Sequence, residues 1–191
     1  RSSSLLPTSL TRVQCVRRLT ATSWLLGSER GALIEDSRGG ARELARLPDP
    51  ALSIVDAHGE LGDLAVIAAE DASRRPYLIG HAARRFMRPL PVEGAASVSA
   101  VARIDDASWL VIGRSVEGKS YAARYLPLEW TLSPIATPEG RALVAAASRP
   151  ERGLAVAVGS DGGIVRVERD KCAAINVEGR PDLAAVAIDV V

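Results

Sequence analysis

The sequence predicts an all-β fold built from about four copies of a four-stranded antiparallel unit, and three observations predict it. First, short apolar runs that end in glycine recur as Ser23-Trp24-Leu25-Leu26-Gly27, Ser108-Trp109-Leu110-Val111-Ile112-Gly113 and Leu154-Ala155-Val156-Ala157-Val158-Gly159. Gly27 and Gly113 are 86 residues apart, two periods of 43, and Gly159 follows after 46 more. A further copy is due midway, and Asp63-Leu64-Ala65-Val66-Ile67-Ala68-Ala69 supplies it. Second, the runs are short and bounded by Gly, Pro, Asp and Asn, without the 3.6-residue periodicity of helical repeats. Third, an acidic residue beside Gly or Pro closes every copy: Pro48-Asp49-Pro50, Glu93-Gly94, Glu139-Gly140 and Glu178-Gly179.

Taken in order, the first unit covers about 11–48 and opens with Val13-Gln14-Cys15-Val16 as its inner strand. The second, about 51–92, has runs at 52–57, 64–69, 76–79 and 86–91. The third, about 96–138, repeats them at 98–102, 109–112, 120–125 and 130–135, and the fourth, about 141–178, at 143–147, 154–158, 164–167 and 173–177. The first run of a unit is rich in small residues, as in Ala145-Ala146-Ala147, which suits the strand nearest a crowded axis. The second is the most apolar, as a strand buried on both faces should be. Four strands in a period of about 40 to 50 residues make a β-propeller blade. The expected fold class is thus a β-propeller of four-stranded antiparallel blades, about four blades present plus one loose strand at each end. The loose strands are Leu5-Leu6-Pro7, read as the outermost strand of a preceding unit, and 183–190, read as the inner strand of a further one. The expectation is one incomplete propeller domain, its remaining blades following Val191 or supplied by another chain.

Composition bounds the function classes. At 191 residues, 47% hydrophobic and 25% charged, the chain can bury a sizeable core. Its net charge of +1 gives no general attraction to nucleic acid or an anionic membrane. No apolar run reaches the roughly 18 residues needed to cross a bilayer, and the first residues lack the order of a signal peptide. Cys15 and Cys172 have no metal-ligand spacing, so reduced, packed thiols are expected, which favours a cytoplasmic setting.

The segment from Leu154 to Val167, with Gly159-Ser160-Asp161-Gly162-Gly163 at its centre, resembles the second-to-third-strand hairpin of a WD40 blade. It is also similar to blades of bacterial sensor and quinoprotein-like propellers. The Trp-Asp dipeptide of WD40 repeats is replaced by Val167-Glu168, and the Gly80-His81 pair falls in a different part of its blade. The resemblance implies a rigid platform for partner binding and does not imply catalysis, since one fold hosts unrelated functions.

Several residues invite a chemical reading. His58 and His81 are the two histidines, expected on the surface or in loops, and no Ser-His-Asp order includes them. Glu70-Asp71 and Asp105-Asp106 lack the alternating ligands and glycine of a calcium loop and read as solvated turns. Arg74, Arg75, Arg84, Arg85 and Arg88, with Tyr77 and Phe86 interleaved, could dock phosphate or an acidic segment, since guanidinium binds both bidentately. The plainer reading is a solvated edge that discourages strand aggregation. Trp24 and Trp109 occupy matched positions and read as core; Trp130 breaks the repeat and could be an exposed contact. Asp161-Gly162-Gly163 reads as a hairpin turn.

The expected function is a non-catalytic scaffold or protein-interaction module with no cofactor and no metal. Its expected partner is a protein or the remaining blades of the same propeller. The alternatives are a propeller enzyme whose Asp56, His58, Asp105 and Asp106 converge at a channel mouth, and an anionic-ligand binder through the arginines.

Overall fold

A computed structural model of the chain describes residues 12–18, 23–37, 40–59, 63–169, 171–179 and 182–186. The polypeptide divides into two compact units, Arg1–Pro89 and Leu90–Val191. In the first, β1 (Val13–Arg18), β2 (Ser23–Ser28), β3 (Ala32–Ser37) and β4 (Gly40–Arg46) form one antiparallel sheet in chain order. A second sheet follows, of β5 (Ser53–Gly59), β6 (Leu64–Glu70), β7 (Pro76–Ala82) and β8 (Arg85–Phe86). The second unit begins with the two-residue β9 (Leu90–Pro91). Its third sheet comprises β10 (Ala95–Arg103), β11 (Trp109–Ser115), β12 (Ser120–Leu126) and β13 (Thr131–Pro134). The fourth comprises β14 (Leu143–Arg149), β15 (Leu154–Gly159), β16 (Gly163–Glu168) and β17 (Cys172–Asn176). The all-β class and the four antiparallel sheets are as the sequence predicts; three of the sheets are four-stranded and the second is five-stranded.

Within each unit the two sheets share one apolar core. In the first, Leu25 and Leu33 of one sheet pack with Ile54, Ile67 and Ile79 of the other. In the second, Leu110 and Ile112 pack with Ala155, Ala157, Val165 and Val167. Strands β6 and β11 read as continuous apolar runs because both of their faces are buried.

The first strand of every sheet carries a register shift at a shared position, Val13/Cys15, Ile54/Asp56, Val98/Ala100 and Leu143/Ala145, and β10 has a second at Ala95/Ser97. These shifts align the sheets residue by residue. Opposite the residue before each shift stand Ser28, Ala69, Gly113 and Gly159, so the counterpart of Gly113 is Ser28 and not Gly27. The glycines of the second unit are sterically required there: a Cβ on Gly113 would run into the Ser97 carbonyl, and one on Gly159 into the Ala142 carbonyl. Gly27 meets side chains instead, Cys15 Sγ and Ile54 Cγ2.

Other details differ from the sequence reading. The run at 86–91 does not make one outer strand; Pro89 and Pro91 offer no N–H to a ladder, so β8 and β9 are two residues each. Trp109 is fully buried, but its counterpart Trp24 is 44% exposed. His81 is buried within β7, edge-on to Phe86 at 4.8 Å, and His58 lies on β5, so neither is in a loop. Cys15 is buried as expected, whereas Cys172 is exposed on the edge strand β17. Asp161 and Gly162 take positive φ, 57° and 72°, as the hairpin reading requires. Residues 182–186 hold no strand; the Leu183 N–H donates to the Gly159 carbonyl, and 187–190, like Leu5-Leu6-Pro7, lie outside the described residues.

Substituting Gly113→Ala or Gly159→Ala is expected to lower stability by about 2–3 kcal/mol through overpacking against backbone. Urea unfolding measures it, and a loss under about 0.5 kcal/mol would show that the inner strand can move aside.

Candidate functional site: the free face of the fourth sheet

The five arginines of the second sheet do not form one patch. Arg74 and Arg75 sit at the β6–β7 turn and Arg84 and Arg85 at the β7–β8 turn, opposite ends of a seven-residue strand spanning about 23 Å. Arg74 pairs with Glu70 at 3.0 Å and Arg75 with Asp71 at 2.8 Å. The Asp71 carboxylate also accepts the Ser73 and Arg75 N–H groups, closing the turn. Arg84 and Arg85 are exposed and make no ion pair among the described residues, and Arg88 is exposed nearby in sequence. Trp130 is exposed at the β12–β13 turn with φ 53°, its N–H donating to the Pro127 carbonyl at 3.2 Å.

The acidic candidates are each occupied locally. Asp56, buried on β5, receives Arg17 of β1 in a two-pronged pair, Nε to Oδ1 at 2.9 Å and Nη2 to Oδ2 at 2.5 Å. Burial opposes the charge on Arg17, but hydrogen bonding and attraction to Asp56 outweigh it and raise its pKa. Beside them the Cys15 thiol is pushed up to about 12 by burial and by the Asp56 charge. Asp105 Oδ1 accepts the Ala107 and Ser108 N–H groups, an Asx turn between β10 and β11, and Asp106 pairs with Arg103 at 3.1 Å. No cluster of three His, Cys, Asp or Glu positioned for a metal occurs among the described residues. No helix there is long and apolar enough to cross a membrane.

A different surface stands out once strand pairing sorts side chains by face. In the third sheet, the rows Ala100–Ile112–Ala122 and Ala102–Leu110–Arg124 run across the strands on the face packed against the fourth sheet. The shared register places Ala145–Val158–Ile164 and Ala147–Val156–Arg166 at the same positions of the fourth sheet. Position by position the residue types agree. The third-sheet residues of these rows, apart from Arg124, are buried, while in the fourth sheet Val158 is buried, Ala145, Ala147, Val156 and Ile164 are half-buried and Arg166 is exposed. The first row continues to Ile175, which is 46% exposed.

The arginine in each second row shows what this face does. Arg124 reaches from the third sheet to the β16–β17 turn of the fourth, donating to the Arg169 carbonyl at 2.7 Å and the Glu168 carbonyl at 2.9 Å. Arg166, its counterpart, opens onto a cleft of about 390 Å³ lined also by Arg152, Leu154, Glu168, Arg169 and Lys171. A neighbouring cleft of about 520 Å³ shares Arg166, Glu168 and Lys171 and extends to Cys172 and Ala173. Arg166 pairs with Glu168, whereas Arg152, Arg169 and Lys171 have no carboxylate partner among the described residues. The cleft forms because the single turn Pro150–Arg152, ended by Gly153 at φ 62°, lies beside the β16–β17 turn.

Sequence reasoning did not single out these basic residues, because Glu151, Glu168 and Asp170 alternate with them and cancel their charge in any local count. The available signal was spacing: Arg124 and Arg166 lie 42 residues apart, one repeat, each mid-way along a third strand. No known protein-family profile matches the chain, and no curated protein sequence matches it either.

Because native Cys15 keeps a proton that the unfolded chain releases above pH 9, its contribution to stability is intact below pH 9 and lost as pH rises towards 12. The expected loss is up to about 1.4 kcal/mol per pH unit in that window. Tyr125, buried and pushed up to about 12, adds to it above pH 10. Urea unfolding from pH 8 to 11 should show the decline beginning near 9 in the wild type and near 10 in Cys15→Ala; identical profiles would contradict the assignment.

Proposed function

We propose that this chain is part of a β-propeller and serves as a non-catalytic protein-interaction scaffold, in which the free face of the fourth sheet docks a further sheet. The observation that carries this reading is the match between that face and the buried face of the third sheet, down to Arg166 at the place of Arg124. A surface of half-buried Val and Ile beside an arginine aimed into an open cleft is what the third sheet would offer with the fourth removed. The four repeated sheets, each with the same inner-strand register shift, support a blade array. The Arg17–Asp56 pair and the Asp105 turn serve structure locally, which favours the scaffold over the enzyme alternative.

Free and covered faces respond differently to charge. Val156→Asp, at a half-buried position, is expected to cost about 1 kcal/mol, a fall in Tm of about 2–4 °C. Leu110→Asp, at the matched covered position, is expected to cost about 4 kcal/mol or unfold the chain. Thermal unfolding followed by circular dichroism separates the two; equal, large losses would show that the fourth sheet's face is part of the chain's own core.

The cleft supports a second reading, an acidic ligand seated among Arg152, Arg169 and Lys171. A poly-glutamate peptide should then bind with an affinity that falls steeply with salt, and the pair Arg152→Glu and Lys171→Glu should abolish it. Calorimetric titration that finds no difference between wild type and the double variant removes this reading.

A further inference from the structure

The docking face implies a counterpart surface, and the chain carries one. The fourth sheet docks on the third through Leu143, Ala146, Ala155, Ala157, Val165 and Val167. The shared register assigns Val13, Val16, Trp24, Leu26, Ile34 and Asp36 of the first sheet to those positions. Five of the six are apolar, and Asp36 stands at the place of Val167. Leu26 and Ile34 belong to a small buried cluster with Ala32 and Ala41, but Val13 is 39% exposed, Val16 55% and Trp24 44%. Their third-sheet counterparts, Val101 for Val16 and Trp109 for Trp24, are fully buried. Trp24 is thus the largest side chain on a surface whose every matched neighbour in the array is covered.

From this we infer that the occupant of the fourth sheet's free face is the first sheet of a second copy of this chain, joined head to tail. The inference rests on the docking-face reading and adds the identity of the partner. Val16 and Trp24 of one copy lie on the Ala147–Val156 and Val158–Ile164 rows of the next, repeating the contact that the third and fourth sheets make within one chain. Continuity with that interface is the argument for a second copy: one chain bears both halves of the same sheet-to-sheet contact, one at each end of the repeat. Because the two halves are different surfaces, the contact is heterologous and propagates into a closed ring or an open array.

A complementation experiment on the 191-residue chain tests this. Sedimentation equilibrium of the wild type should give a mass that rises with concentration above the 20.1 kDa of one chain. Trp24→Glu blocks one surface and Val156→Asp the other, so each variant alone should remain at 20.1 kDa. Mixed in equal amounts, they retain one intact surface each and should form a 1:1 pair of twice that mass and nothing larger. Circular dichroism verifies that each variant is folded, and Val16→Glu replaces Trp24→Glu should the latter not fold. A wild type that stays at one chain mass throughout, a mixture that fails to pair, or association that survives in either variant alone overturns the inference. A monomeric wild type together with a well-tolerated Val156→Asp removes the second copy as occupant and leaves the docking face standing. Unfolding by Val156→Asp strikes the docking face itself.

Discussion

Each sheet of this protein presents apolar side chains on both faces, and a sheet so built gains stability from covering both of them. Fully burying one Val, Leu or Ile side chain contributes about 1.5–3 kcal/mol relative to leaving it in water. Strand β6, with Leu64 to Ala69 buried in succession, has no side to turn to solvent. The pairing of sheets inside each unit follows from that demand. So does the close approach at Gly113 and Gly159, where the bulged inner strand presses its backbone on the strand behind it. The fourth sheet obeys the same composition rule, which is why its free face looks unfinished when compared with the third.

Apolar burial is non-directional, so it brings sheets together without fixing how one lies on the next. Most charged groups here do not help with that. Arg42–Glu35, Arg46–Glu43, Arg74–Glu70 and Lys119–Glu117 join neighbours on a strand pair or a turn. Such exposed pairs contribute about 0–1 kcal/mol. Two of the arginines do tie one sheet to another. Arg17 reaches Asp56 from inner strand to inner strand in the first unit, and Arg124 reaches the β16–β17 carbonyls in the second. The place of Arg124 is taken by Glu35 in the first sheet and Gly80 in the second, so each unit fixes its sheets by a different polar device.

Strand order and fold class were legible because period-2 and continuous apolar runs, broken by turn residues, report backbone hydrogen bonding directly. What was hidden depends on face rather than on order. Trp24 and Trp109 look alike in the sequence, yet one is buried and the other is not, because exposure is decided by what lies across the sheet. The arginines at 74–88 look contiguous, yet β7 separates them into two ends. The basic cleft was invisible to charge counting since its members come from two turns and alternate with acids. Even the repeat anchor was off by one at Gly27, because strand pairing puts Ser28, a residue with a side chain, where the third sheet has Gly113.

The choice of acceptor for Arg124 bears on how specific the free face can be. Side-chain partners would make docking depend on the residues of the incoming sheet, whereas backbone carbonyls at a turn are offered by any sheet folded the same way. A guanidinium aimed at such carbonyls therefore selects geometry, and the apolar rows around it select shape and polarity. Arg166 stands at the matched register position, paired with Glu168 at the mouth of a cleft of about 390 Å³. On the proposed docking reading, a surface that recognises the repeat rather than a particular sequence suits extension of an array by another unit of its own kind, and it gives little purchase to a helix or an irregular segment, which lacks a turn at that spacing from a flat apolar face.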